Sequence, residues 1–213
     1  MKNLLCFDLD NTLYHPKYKI MDKINLRIVK YLIEYTNISP ETVNIKRKYY
    51  YETYGSTLKG LYCEERIEPI KYLEFIHNIE AYDLPLKDDK LHDIINQMDG
   101  LKIIITNSYS VYAVRVLESL GILHLFDKIY DTVFMDFNYK NSITGLKKVI
   151  ELYDYSLNDI YLIDDSEDSL EAAKSIGINT IYVNYSLKKS NNYTKEINSI
   201  YDINQCIITN NMR

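Results

Sequence analysis

Three apolar runs punctuate the chain, and each ends in a cluster of short polar side chains. Leu4-Leu5-Cys6-Phe7 leads to Asp8, Lys102-Ile103-Ile104-Ile105 to Thr106-Asn107-Ser108, and Ile160-Tyr161-Leu162-Ile163 to Asp164-Asp165-Ser166. Aliphatic, β-branched runs of this length suit strands buried on both faces. Together with two further apolar stretches they predict strands over 4–8, 102–106, 128–134, 160–164 and 179–183. Helical periodicity fills the gaps and predicts helices over 110–120, 142–153 and 168–176, with Gly121 and Gly177 placed to stop two of them. Strand and helix in alternation predict an α/β fold built on a doubly wound parallel sheet.

The stretch between the first two strands, 15–85, contains no convincing strand and is too long for an ordinary loop. Ile24, Ile28, Tyr31, Leu32 and Tyr35 share one helical face, Pro40-Glu41 opens a second helix running through Tyr54, and 69–76 reads as another. The expected organisation is therefore a core made of 1–14 and 86–213, interrupted by a helical module over 15–85. After Ser186 the pattern predicts a polar loop containing Ser190-Asn191-Asn192, then a short Ile-bearing ending over 197–208.

The chemistry lies at the strand ends. A buried strand that delivers Asp8 and Asp10 two residues apart has to offset their mutual repulsion, and an oxygen-seeking cation does so. A turn-capping role is the plainer reading of such a pair, since Asp hydrogen-bonds its own backbone in turns. The Thr106 hydroxyl, the Asn107 carboxamide and the amides opening the next helix can donate to a phosphate oxygen without adding charge. Asp164 and Asp165 repeat the pattern of a hydrophobic strand ending in acids, before a helix whose acidic first turn suits its positive end.

The turn Phe7-Asp8-Leu9-Asp10-Asn11-Thr12-Leu13 resembles the first signature of the haloacid dehalogenase superfamily in its phosphatase form. The dehalogenases of that superfamily lack the second aspartate, so its presence here points to phosphate esters. The resemblance implies that Asp8 is the nucleophile that takes the phosphoryl group and that Asp10 protonates the leaving oxygen and then activates water. It also implies phosphate binding by Thr106 and Asn107. A charge-balancing lysine is expected before the last motif; Lys140, in Asn138-Tyr139-Lys140-Asn141-Ser142, takes that place, with Asn141 where relatives usually carry proline. Lys147 and Lys148 compete for the role but fall inside the predicted helix. A Mg²⁺ ion is implied on Asp8, on Asp10 through its carbonyl, and on Asp165, with Asp164 behind it or acting through water. Asp168 is expected to cap the following helix, with ligation of the ion as its alternative role.

By the same resemblance the helical module is a cap over the carboxylates. Its stretch Tyr54-Gly55-Ser56-Thr57-Leu58-Lys59-Gly60-Leu61, with His77 further on, is similar to the pyrimidine 5′-nucleotidase branch. That implies substrate selection by Tyr54, Gly55, Thr57 and His77, and a small phosphorylated metabolite, a nucleoside 5′-monophosphate, as substrate. Two other readings stand beside it: a phosphatase of sugar phosphates or other small metabolites, and a non-catalytic binding protein on the same scaffold.

Composition narrows the setting. A net charge of −5 and a pI near 5.4 offer no electrostatic footprint for a nucleic acid polymer. Cys6, Cys63 and Cys206 are scattered and odd in number, poor material for a disulfide framework, and point to a reducing cytoplasm. No apolar run is long enough to span a membrane. The 22 tyrosines are spread along the whole chain and read as compositional bias.

Overall fold

The computed structural model describes residues 3–186 and 193–207. The Ser190-Asn191-Asn192 loop and the last residue of the expected Ile-bearing ending lie outside them. Six strands, β1 (Leu4–Phe7), β2 (Leu101–Ile105), β3 (Lys128–Tyr130), β4 (Ile160–Asp164), β5 (Asn179–Val183) and β6 (Lys195–Ile197), form one sheet in the order β3-β2-β1-β4-β5-β6. Every pairing is parallel, as predicted from the unbroken apolar runs.

β1 lies in the middle, its four residues fully buried. Successive side chains point to opposite faces. Leu4 and Cys6 pack with Leu146, Val149, Leu170 and Ala173 of helices α7 (Ile143–Ile150) and α8 (Glu167–Ser175). Leu5 and Phe7 belong to the opposite core, with Leu91 and Ile95 of α5 (Asp89–Asn96) and Val116 and Leu117 of α6 (Ser110–Leu120). The strand order places β2 and β3 on one side of β1 and β4 to β6 on the other. A crevice therefore opens at the carboxyl ends of β1 and β4, where winding reverses and where such sheets bind ligands.

Four helices separate β1 from α5: α1 (Ile20–Tyr35), α2 (Val43–Tyr54), α3 (Thr57–Glu64) and α4 (Pro69–Ile76). Ile24, Tyr31 and Leu32 of α1 are buried as its apolar face requires, while Tyr35 is mostly exposed and stacks on Tyr31 with ring centroids 4.9 Å apart. The second helix starts at Val43, after a turn over 40–42, and α3 is a helix that the periodicity did not announce.

The expected third strand stops four residues early, at Tyr130. Asp131 ends it: its carboxylate accepts the Phe134 N–H (2.9 Å), curling the chain into a turn, and the Ser110 N–H (2.9 Å), capping α6 from outside. β6 was not predicted, being three residues long and on the sheet edge. Among the described residues no helix is long and apolar enough to cross a membrane.

Candidate active site

Asp8 continues β1 by one hydrogen bond, its N–H donating to Ile163 O (2.9 Å), so its carboxylate emerges in the crevice and stays buried. The chain then turns through Asn11, which adopts a left-handed conformation (φ 59°) that Asn tolerates better than most residues. Thr12, fully buried just past the turn, donates to Asp165 Oδ1 at 3.4 Å. On the neighbouring strand end, Asp164 Oδ1 accepts the Ser166 N–H (2.9 Å) in the tight turn that opens α8. Ser166, not Asp168, caps that helix, accepting the Ser169 N–H. Asp168 falls in the first turn and accepts the Tyr51 hydroxyl of α2 instead (2.8 Å).

Lys140 arrives from the loop between β3 and α7. Asn107 Oδ1 accepts the Lys140 N–H (2.9 Å), and the loop lies directly on the first turn of α7. Only glycine permits that approach at 145, because a Cβ there would sit 2.6 Å from Tyr139 O and 2.8 Å from Asn138 O. The Lys140 ammonium is thereby placed against Asp8 Oδ1 and 2.7 Å from Asp164 Oδ2, with its side chain 4% exposed. Asn141 in place of a proline does not draw the lysine away from these carboxylates. Lys147 is exposed, and Lys148 pairs with Asp136 at the surface.

Asp8, Asp164 and Asp165 each offer an oxygen within 4.8 Å of the others. Burial raises the Asp8 carboxyl, against the pull of Lys140. It also pushes Asp164 to about 7, and it pushes Asp165 to about 8, helped by the charges of Asp8 and Asp164. Burial opposes the charge on Lys140, but Asp164 and Asp8 outweigh it and hold the ammonium above the ordinary lysine range. One ammonium thus faces three carboxylates. Asp164 Oδ2 is within ion-pair distance of that ammonium but, among the described residues, meets no hydrogen-bond donor with good geometry. An all-oxygen, over-acidic donor set of this kind fits a hard divalent cation. Asp164 is closer to the cluster than expected, since its own oxygen belongs to it.

The Asp10 carboxylate points elsewhere. Its Oδ1 accepts the hydroxyls of Tyr14 (2.5 Å) and Tyr112 (2.8 Å), and its Oδ2 accepts Ser108 Oγ (2.5 Å). Neither tyrosine stood out in a sequence with 22 of them; the only signal was the spacing of four residues from Asp10 to Tyr14.

A cleft of about 390 Å³ opens over these groups, with Asp8, Asp10, Thr106, Asn107, Lys140 and Asp165 in its wall. The Thr106 hydroxyl accepts the Ser108 N–H (3.0 Å), which leaves its own hydrogen free to donate. α1 and α4 contribute mostly apolar lining, with Ile24 and Ile28 beside Asn25 from α1 and Tyr72, Leu73 and Ile76 from α4. Thr57 and His77 reach the cleft as well. His77 is buried, its Nδ1 is 3.0 Å from Leu73 O, and burial pushes its pKa down to about 4, so it is neutral near pH 7. Tyr54 and Gly55 do not line the cleft. Tyr54 donates to Glu64 (2.9 Å), and Gly55 closes α2 with φ 81°. Gly60 is a packing residue, since a Cβ there would lie 2.3 Å from the Tyr50 ring.

Residues 2–177 match the haloacid dehalogenase-like hydrolase family. The chain belongs to that family. As a haloacid dehalogenase-like hydrolase it is 26% identical to phosphate metabolism protein 8 of Saccharomyces cerevisiae over 224 aligned positions, covering 92% of the chain but 66% of that relative. The chain thus spans slightly less than two thirds of the relative's length. Its fold is similar to that of CbbY from Rhodobacter sphaeroides, solved in complex with phosphate, with a TM-score of 0.65 at 15% identity over 95% of this chain and 96% of that one. It is also similar to the HAD-hydrolase YfnB from Bacillus subtilis, solved bound to magnesium, with a TM-score of 0.57 at 17% identity over 96% and 97% of the two chains.

Proposed function

We propose that this hydrolase is a Mg²⁺-dependent phosphomonoester hydrolase that works through a phosphoaspartyl intermediate on Asp8. The observation that carries the reading is the convergence of Asp8, Lys140, Asp164 and Asp165 beside the Thr106 and Asn107 donors in one cleft. An Asp8 oxygen attacks phosphorus as the ester P–O bond breaks, and the leaving oxygen takes its proton from Asp10. Water then attacks the phosphoaspartate with Asp10 taking its proton, and inorganic phosphate and free Asp8 are released. Lys140 and the Thr106 and Asn107 donors face the charge that spreads over the transferring group. Asp8, Asp165 and Asp164, with the Asp10 carbonyl, would hold Mg²⁺, which would neutralise part of the charge on the phosphoryl oxygens.

In this reading α1 to α4, within 15–85, form a cap that excludes water and selects the leaving group. A cleft lined both by the charged groups at the strand ends and by Ile24, Ile28, Tyr72 and Ile76 suits an ester with a flat, weakly polar body. A nucleoside 5′-monophosphate fits that description better than a sugar phosphate, and the sequence similarity of the cap points to a pyrimidine base. The cytoplasm is the proposed compartment.

Phosphate release should be measured with and without Mg²⁺ over uridine, cytidine and purine 5′-monophosphates and a set of sugar phosphates. Mg²⁺-dependent turnover with kcat/KM highest for the pyrimidine esters is expected. A preference for sugar phosphates would discard the nucleotide substrate while keeping the chemistry, and turnover indifferent to Mg²⁺ would remove the metal.

A further inference from the structure

Both oxygens of the Asp10 carboxylate are held, and among the described residues the three groups that hold it are all hydroxyls: Tyr14 Oη and Tyr112 Oη on Oδ1, Ser108 Oγ on Oδ2. Two of them come from parts of the chain about a hundred residues away from Asp10. Ser108 lies on the loop after β2, and Tyr112 in the first turn of α6. The two phenol oxygens are 3.4 Å apart, so each is also within reach of the other. Tyr14 and Tyr112 are buried, at 3% and 1% exposure, and the Tyr112 ring packs on His77 at 5.1 Å. A buried phenol needs a polar partner, and here two spend theirs on one carboxylate. Burial, then the neighbouring Asp10, holds both phenols well above their usual range, so both keep their protons.

We propose that Tyr14, Tyr112 and Ser108 are positioning residues that aim Asp10 at the leaving oxygen. The proposal rests on the phosphatase reading, in which Asp10 gives its proton to the ester oxygen as the P–O bond breaks and the electron pair stays on that oxygen. Hydroxyls suit this task better than a lysine or arginine would. A hydroxyl can donate to the carboxylate or accept from the carboxylic acid, so the same three partners hold Asp10 before and after it gives up its proton. A fixed cation would favour only the ionised form. Positioned proton donors contribute about 10² to 10⁴ in rate, and misplacing one forfeits part of that factor.

A comparison of two esters tests the proposal. Uridine 5′-monophosphate leaves as an alkoxide and needs a proton; p-nitrophenyl phosphate leaves as a stable phenolate and does not. kcat/KM reports steps up to the first irreversible one, here phosphoryl transfer to Asp8, and so isolates the proton donation. Tyr14→Phe and Tyr112→Phe should each lower kcat/KM for uridine 5′-monophosphate about 10-fold while changing that for p-nitrophenyl phosphate less than about 2-fold. In an Asp10→Asn background the same substitutions should have no further effect, because the group they position is gone. Equal losses on both esters, no loss on either, or additive losses in the Asp10→Asn background would each overturn the proposal. Wild-type protein that turns over neither ester would instead overturn the phosphatase reading, and this proposal with it. Should a tyrosine variant melt early, Ser108→Ala, which removes the Oδ2 donor with a smaller change in packing, puts the same question.

Discussion

Lys140 is a fully formed ammonium with almost no access to solvent, and its position follows from the carboxylates on either side of it. Removing one partner from a buried ion pair leaves the rest uncompensated, which typically costs about 3–5 kcal/mol. Lys140→Met should therefore lose stability on that scale in urea unfolding with EDTA present, and should lose phosphatase turnover as well; a variant as stable as wild type would mean the carboxylates are already neutralised. At this scale the acids are legible because each lies at a strand end or within three residues of it, so a short stretch of sequence carries the whole signal. Lys140 needed the order of the motifs. The partners of Asp10 were not legible, because Ser108 and Tyr112 reach it only once β1 and β2 pair side by side.

Two elements depend on single small residues. Ser56 caps α3, accepting the Lys59 N–H at 3.1 Å, and α3 carries Thr57 to the cleft. Ser56→Ala should cost about 1 kcal/mol in chemical denaturation. Gly145→Ala places a Cβ 2.6 Å from a backbone carbonyl that cannot swing aside. The loop carrying Lys140 must then shift, and turnover should fall at least about 10-fold for a displacement of this kind; a Gly145→Ala enzyme with wild-type kcat would show that the loop is not held by this contact. Strand and helix identities in the core were readable from their unbroken or 3.6-residue apolar patterns, and Asn179–Val183 and Ser110–Leu120 coincide with expectation to the residue. The third strand is shorter than its sequence suggests because Val133 and Phe134 look strand-like, while the turn is imposed by backbone N–H groups donating to the Asp131 carboxylate. β6 has too few residues to show a pattern and exists because β5 offers it an edge.

For the molecule as a whole, polar contacts among the described residues tie the helices between β1 and α5 to the sheet and its helices. Tyr51 donates to Asp168 at 2.8 Å and Lys59 to Asn138 Oδ1 at 2.9 Å. Neutral His77 follows α4 and packs on Tyr112, and the charge of Asp131 acts on it. Its folded pKa of about 4 lies below the value of 6.5 expected when unfolded, so only the unfolded chain takes up this proton between those pH values. Stability is therefore present above about pH 6.5 and is lost as pH falls toward 4, by about 3 kcal/mol for this group. The difference in unfolding free energy between wild type and His77→Gln should shrink over that interval; an unchanged difference would mean that His77 titrates normally.

In the proposed mechanism Asp8 carries the phosphoryl group. Acid quenching during turnover, borohydride reduction of the acyl phosphate and mass mapping of the peptides should find the reduced residue at Asp8 and nowhere else. Asp8→Asn should give none and release no phosphate while remaining folded. Modification at another residue, or turnover that survives Asp8→Asn, would remove Asp8 from the nucleophile role.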